Sequence, residues 1–219
     1  MTSGAIVVSG LTKRFGNDTG LGPVQMTVPA GNLTVITGGP DAGKSTLVRC
    51  LTGVYRPDAG SVTFRLGGAD EIELIGADPR TVAWLRGRHI ASFNGPLAAA
   101  PRLPAADAVA RAARCDHTSA LGALTRLRAQ RLAPTPVGRL RPAERHTVAL
   151  AAALIAARPF VLLDEPEAAA DPASVAVWVQ RAIEGGAAVL ATAAPDSALA
   201  SLATATGELR RGRIEWRKR

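Results

Sequence analysis

The chain has 219 residues, 47% of them apolar and 20% charged, with a formal net charge of +8. That composition suits one globular domain with a sizeable core, and no apolar run approaches the ~20 residues that span a bilayer. Only three basic residues are lysines (Lys13, Lys44 and Lys218), and aromatics make up 4%. The charge therefore reads as an arginine-rich solvated surface, with too few rings to favour nucleic acid as a partner.

Cys50 and Cys115 stand alone, without metal-ligand spacing or a disulfide framework. The N-terminus shows neither a basic n-region nor an apolar h-region. A reducing, cytoplasmic setting is expected, peripheral to a membrane only through a partner that spans it.

In chain order, Ala5-Ile6-Val7-Val8 reads as a strand, and Asn17-Asp18-Thr19-Gly20 and Gly22-Pro23 carry turn chemistry. Val24-Gln25-Met26-Thr27-Val28 alternates as a half-buried strand, and the β-branched run Leu33–Thr37 reads as a buried one. Gly38-Gly39-Pro40-Asp41-Ala42-Gly43-Lys44-Ser45-Thr46 follows, and an apolar helix runs on towards Gly53. Strand, glycine-rich turn and helix is the setting in which G-x-x-x-x-G-K-[ST] means a phosphate-binding loop. Glycines let successive N–H groups converge on a polyphosphate, and the helix N-terminus adds unpaired donors and partial positive charge. In that chemistry Lys44 bridges the β- and γ-phosphates of a nucleotide and the Ser45 hydroxyl ligates Mg²⁺.

Further on, a turn at Tyr55–Gly60 leads to the strand Ser61–Phe64. A helix is expected from Asp78 to Gly87, and a strand at Ile90–Phe93 that ends against Asn94. Between Pro104 and Leu132 the leucines at 121, 124, 127 and 132 fall near helical spacing and read as core packing. Phe160-Val161-Leu162-Leu163-Asp164-Glu165 is an apolar strand ending in two carboxylates, which is where α/β folds place ligands. Asp164 would hold Mg²⁺ and Glu165 would polarise an attacking water as general base. Ala187–Thr192 reads as another strand. Arg211-Gly212 reads as a hairpin turn within a basic cluster of Arg210, Arg211, Arg213, Arg217, Lys218 and Arg219, taken as a solvated tail.

The order of an aromatic after the first strand, V-P-A-G-N-L-T-V-I-T-G, the phosphate loop and R-P-D-A-G-S-V resembles an ATP-binding-cassette (ABC) ATPase domain over nearly the whole chain. The resemblance implies an α/β P-loop NTPase fold of the ABC type. Its parts would be a mixed sheet core, an N-terminal antiparallel β-subdomain and a small α-helical subdomain. Residues 1–219 would form one domain, with 1–93 and 158–219 as the RecA-like core plus β-subdomain and 94–157 as the helical part. It also implies ATP and Mg²⁺ as ligands, with Phe15 stacking on adenine and Gly38 through Thr46 holding phosphate. Ser45, Asp164 and Asn94 would surround the metal, Glu165 would act as base, and Asp171 would lie at a dimer interface.

Several positions depart from the family pattern. Asn94 stands where the family carries Gln and is one methylene shorter. Leu140-Arg141-Pro142-Ala143-Glu144 replaces the L-S-G-G-E signature that clamps the γ-phosphate held by the opposite subunit, losing a hydroxyl and a backbone donor. Such donors are worth roughly 3–4 kcal/mol each in catalysis; Arg141 offers a replacement charge. Ala193-Ala194 follows the strand where the family's His is expected. In the loop, Pro40 lacks an N–H and Asp41 brings a carboxylate towards a triphosphate.

The stretch Thr81–Ala110 is similar to accessory ABC ATPases of the phosphonate C–P lyase system. The expected protein is an ATP-binding ABC subunit that hydrolyses weakly or with a partner's help. It would form a homo- or heterodimer with another ABC domain and serve a membrane permease or a C–P lyase-type complex. The alternatives are a nucleotide-binding regulatory or scaffold subunit and a nucleic-acid-associated ATPase.

Overall fold

The computed structural model describes residues 4–16, 18–68 and 70–217. Asn17 of the expected turn and Lys218 and Arg219 of the basic cluster lie outside the described residues.

Two sheets organise the chain. The smaller is antiparallel, in the order β2-β1-β4-β5: β1 is Ala5–Phe15, β2 Asp18–Pro29, β4 Ala59–Gly67 and β5 Asp70–Glu73. The larger has six strands in the order β10-β9-β3-β8-β7-β6. Here β3 (Asn32–Thr37), β6 (Ile90–Phe93), β7 (Phe160–Asp164), β8 (Ala188–Ala193) and β9 (Ala205–Arg210) run parallel, and β10 (Arg213–Trp216) folds back as an antiparallel edge. The mixed sheet and the antiparallel subdomain expected from the sequence are both present.

Seven α-helices complete the described fold: α1 Lys44–Leu51, α2 Pro79–Arg88, α3 Ala105–Ala113, α4 His117–Arg126, α5 Pro142–Ile155, α6 Pro172–Glu184 and α7 Leu199–Leu202. The boundaries follow local chemistry. Asp78, Asp116 and Asp171 each accept a backbone N–H at the start of α2, α4 and α6, satisfying donors the helix cannot. Proline opens α2, α5 and α6, where its missing N–H is harmless.

Strand alternation sorts the core into two layers. Leu33, Val35, Val161, Leu163, Val189 and Ala191 face the helical side with Leu150 and Val179. Ile36, Phe160, Leu162, Ala188 and Leu190 face α1 and the small sheet. Successive side chains of a strand point to opposite faces, so a continuous apolar run is what a sheet covered on both sides requires. Phe160 meets Phe64 of β4 edge to face, with ring centroids 5.0 Å apart, which joins the two sheets. Truncating such a buried ring to Ala costs about 3–5 kcal/mol.

Two local expectations are corrected: of Asn17-Asp18-Thr19-Gly20, read as a turn, Asp18–Gly20 already belong to β2, which pairs there with the end of β1. Gly22-Pro23, read as a turn, lies within β2, which continues from Asp18 to Pro29. β2 is an edge strand whose register against β1 shifts between Leu11 and Lys13, and edges and bulges are where proline is tolerated. The Gly22 N–H donates instead to Gly212 O (2.7 Å), tying the strand to the β9–β10 turn. That turn sits at Arg211-Gly212, both residues at positive φ, as expected. Leu124, Leu127 and Leu132 are buried and Leu121 packs against the same cluster.

Candidate nucleotide site

The loop between β3 and α1 is held by close backbone approaches. A Cβ on Gly43 (φ 103°) would fall 2.5 Å from Gly20 O, and one on Gly38 2.7 Å from Leu209 O. Only glycine fits either place. Gly39, Pro40 and Asp41 are exposed, Ala42 is half-buried, Ser45 is exposed and Thr46 half-buried on the first turn of α1. Asp41 is at φ 57°. That left-handed conformation is one glycine adopts freely and a short polar side chain such as Asp tolerates.

Lys44 is 93% buried and turns back into the loop. Its Nζ donates to Gly38 O (2.6 Å) and Gly39 O (2.7 Å) and lies 3.0 Å from Glu165 Oε1. The loop cation and the acid at the end of β7 therefore already form one cluster, 121 positions apart in the chain but adjacent in space. Parallel pairing of β3, β8 and β7 sets this, because Thr37 lies opposite Ala193, and Thr192 opposite Asp164.

Thr192 is a candidate site residue that the sequence reading did not single out. Its Oγ1 donates to Asp164 Oδ1 (2.7 Å) and accepts from the Glu165 N–H (3.1 Å), which also points at Thr192 O (3.1 Å). One buried hydroxyl thus orients both carboxylate residues. Glu165 itself is at φ 48°, ψ 55°, an uncommon conformation for a non-glycine residue. The only available signal was register: a hydroxyl at the C-terminal end of the strand that pairs with Phe160–Asp164.

The donors suit a hard divalent cation. Ser45 Oγ is exposed and Asp164 keeps Oδ2 free of protein partners among the described residues, leaving the other positions for phosphate and water oxygens. Among the described residues, no cluster of three or more His, Cys, Asp or Glu is arranged as a metal cage.

Phe15 is 44% exposed beyond the loop. It meets Tyr55 edge-on at 5.5 Å, and Lys13 Nζ stands 5.6 Å from its ring centroid. Lys13 pairs with Asp58 (3.3 Å), whose carboxyl is held below its ordinary range chiefly by the Arg14 N–H. An exposed ring on a braced strand end offers a stacking face.

The other predicted residues are placed apart from this cluster. Asn94 follows β6, yet its amide donates to Thr52 Oγ1 (3.3 Å), just beyond the C-terminal end of α1. Thr52 is seven residues from Ser45, about 10 Å along the helix. Asn94 also borders a cleft of about 500 Å³ between α2, β6 and α5. Arg141, Pro142 and Ala143 are exposed at the start of α5, and Leu140 is buried beneath them. Arg141 sits at the N-cap position without a side-chain cap, so the lost serine is also a lost cap. Glu144 accepts the Arg141 N–H (3.0 Å) and pairs with Arg131 (3.1 Å) in partial compensation. Asp171 caps α6 through the Ser174 N–H (3.0 Å) and hydroxyl (2.8 Å). His146 packs edge-on against Phe93 at 6.2 Å.

A largely parallel sheet, with a glycine-rich loop after β3 and an acid tip on β7 two strands away, joined to an antiparallel sheet, defines a P-loop nucleotide-binding protein. The chain belongs to the ABC transporter family, whose model matches residues 21–168. Among curated relatives, it is 35% identical over 183 residues to the phosphonates import ATP-binding protein PhnC 1 of Natronomonas pharaonis, covering 75% of this chain and 70% of that protein. It is 31% identical over 185 residues to the PhnC of Rhizobium etli (74% of this chain, 61% of that protein). It is 30% identical over 169 residues to the aliphatic sulfonates import ATP-binding protein SsuB 1 of Nocardia farcinica (76% and 60%). The chain thus spans 60–70% of the length of these relatives. Its fold is similar to that of a dimeric ATP-binding cassette in a post-hydrolysis state bound to ADP and Pi. That match has a TM-score of 0.81 and 20% identity, and covers 97% of this chain and 98% of the other. Among the described residues, no helix is long and apolar enough to cross a membrane.

Proposed function

We propose that this chain is the ATP-binding subunit of an importer for a small oxyanionic compound of the phosphonate or sulfonate type. The observation that carries the nucleotide reading is the convergence of Lys44, Glu165, Asp164 and Thr192 at the loop. The import reading rests on the relatives' names, which favour a membrane permease over a C–P lyase-type complex as partner. In the proposed dimer, residues 94–157 act as the helical subdomain that presents Leu140–Glu144 to the other subunit, while Asp171, at the start of α6 in the core, adds to the same interface.

ATP binding would draw Lys44 from the Gly38 and Gly39 carbonyls onto the β- and γ-phosphates, freeing Glu165 to polarise a water. Ser45 and Asp164 would hold Mg²⁺, which neutralises charge developing on the phosphates. Phe15 would stack on the base. Turnover is proposed to be weak in a homodimer, because each site would receive an α5 start carrying Arg141 and Pro142 in place of donors. In a heterodimer, the site built on this chain's Lys44 and Glu165 would receive the partner's signature and turn over.

The deciding experiment is ATP binding and turnover by the purified chain, with Lys44→Ala and Glu165→Gln as controls. Binding lost in Lys44→Ala, with slow turnover lost in Glu165→Gln, is expected. No nucleotide binding would overturn the proposal. Turnover near 1 s⁻¹ by the chain alone, lost in Glu165→Gln, would overturn the weak-homodimer part. A regulatory, non-hydrolysing subunit is the second reading, favoured by the Asn94–Thr52 contact, which turns the amide away from the loop. Binding without any turnover beside a competent partner would select it.

A further inference from the structure

At the N-terminal ends of β6 and β7, about 13 Å along β7 from Asp164, three arginines from separate elements meet around the end of α2. Arg158 Nη1 donates to Arg88 O (3.1 Å). A Cβ on Gly87 would stand 3.4 Å from Arg114 Nη2, so this guanidinium rests against the neighbouring backbone unit. Arg88 adds a third cation, and His89 follows, its ring 4.5 Å from that of Trp84. Trp84 is 47% exposed.

No carboxylate among the described residues forms an ion pair with Arg88, Arg114 or Arg158. Asp116, two residues from Arg114, spends both oxygens on Ser119. The cations repel one another. Burial, then Arg114 and Arg88, holds Arg158 below the usual guanidinium range; burial, then Arg158 and Arg88, lowers His89. Elsewhere several of the chain's basic residues are paired: Lys13 with Asp58, Lys44 with Glu165, and Arg210 and Arg217 with Glu208. A convergent guanidinium cluster without a carboxylate partner is the arrangement that binds oxyanions, through charge-assisted and bidentate hydrogen bonds.

We propose that Arg88, Arg114 and Arg158 form a second anion site that takes a phosphate-type oxyanion, separate from the nucleotide loop. The ligand is a tetrahedral oxyanion seated between the Arg114 and Arg158 guanidiniums, with Arg88 and His89 beside it. It has two possible sources, a free phosphate or phosphonate in solution or the phosphate of an anionic lipid headgroup. The exposed Trp84 on the same rim suits the second, since tryptophan favours membrane interfaces. The inference does not depend on what the protein imports.

The test uses the whole chain carrying Lys44→Ala, which removes phosphate binding at the loop, with and without Arg114→Gln plus Arg158→Gln. Inorganic phosphate is titrated calorimetrically at fixed ionic strength. In parallel, sedimentation is measured with vesicles rich in phosphatidylglycerol and with vesicles of phosphatidylcholine alone. Saturable phosphate binding that weakens at least tenfold in the arginine variant supports the site with a free oxyanion as ligand. Arginine-dependent binding to phosphatidylglycerol vesicles alone supports it with a headgroup as ligand. Binding of neither, or binding unchanged in the arginine variant, overturns it. The double arginine variant with Lys44 intact is checked for ATP binding equal to that of the unaltered chain, so a folding defect cannot mimic the loss.

Discussion

Lys44 Nζ lies 3.0 Å from Glu165 Oε1, so the cation of the loop after β3 and the acid at the end of β7 form one ion pair. Lys44 is buried while the Glu165 side chain is 48% exposed, which limits the pair to the modest strength of a partly solvated ion pair. Glu165→Gln should therefore abolish turnover and tighten ATP binding by up to about fivefold, because Lys44 then has one competitor fewer. Equilibrium binding of a fluorescent ATP analogue checks this; weaker binding in Glu165→Gln would contradict it.

Thr192 bridges Asp164 and the Glu165 backbone. Hydrogen bonds to charged groups contribute roughly 1.5–3 kcal/mol. Thr192→Val, which keeps the shape and removes the hydroxyl, should lower kcat about tenfold or more. Thr192→Ser should retain most activity. The assay is steady-state turnover with the competent partner present, with ATP affinity measured alongside and expected to change little.

Asp41 combines a left-handed backbone with a carboxylate beside the proposed phosphate position. Left-handed geometry costs a non-glycine residue about 1 kcal/mol, and in water a charge pair at 4 Å contributes about 1 kcal/mol. Asp41→Gly should raise ATP affinity about fivefold or more and leave the melting temperature unchanged or slightly higher. Isothermal titration and thermal melts of the two proteins decide it.

The α5 start carries Arg141, Pro142 and Ala143 where the family places Ser-Gly-Gly. Replacing all three with Ser, Gly and Gly restores an N-cap and two backbone positions able to approach phosphate. Homodimer turnover should rise at least tenfold. Unchanged turnover would place the limit in Asn94 or in Ala193-Ala194 instead.

Asp58, Asp78, Asp116, Glu144, Asp171 and Glu208 all have carboxyls held below their ordinary range, mainly by hydrogen bonds. A pKa lower in the folded state means stability that is present above the unfolded value and lost as pH falls through the folded one. Thermal melts should thus fall steeply below about pH 4, where these carboxyls protonate, after a smaller decline below about pH 6.5 from His89, whose imidazole is held below its ordinary range by burial and then by Arg158 and Arg88. Asp78→Asn keeps an acceptor at the start of α2, so it should soften the acid fall without lowering stability at pH 7 in proportion.

The sequence by itself determined the phosphate loop, the acid-tipped strand, the buried strands and the places where family chemistry is missing. These are local: a glycine spacing, a β-branched run and a proline at a helix start dictate backbone behaviour within a few residues. It also misread Gly22-Pro23, because turn propensity was overruled by an edge strand whose bulged register accommodates proline. Only the tertiary structure decided that Lys44 meets Glu165, that Thr192 aligns both acids, that Asn94 turns to Thr52 and that Arg88, Arg114 and Arg158 converge. Each of these depends on which strand pairs with which and in what register. A one-residue slip in any pairing reverses every side chain on the strand, so such contacts are properties of the assembled sheet.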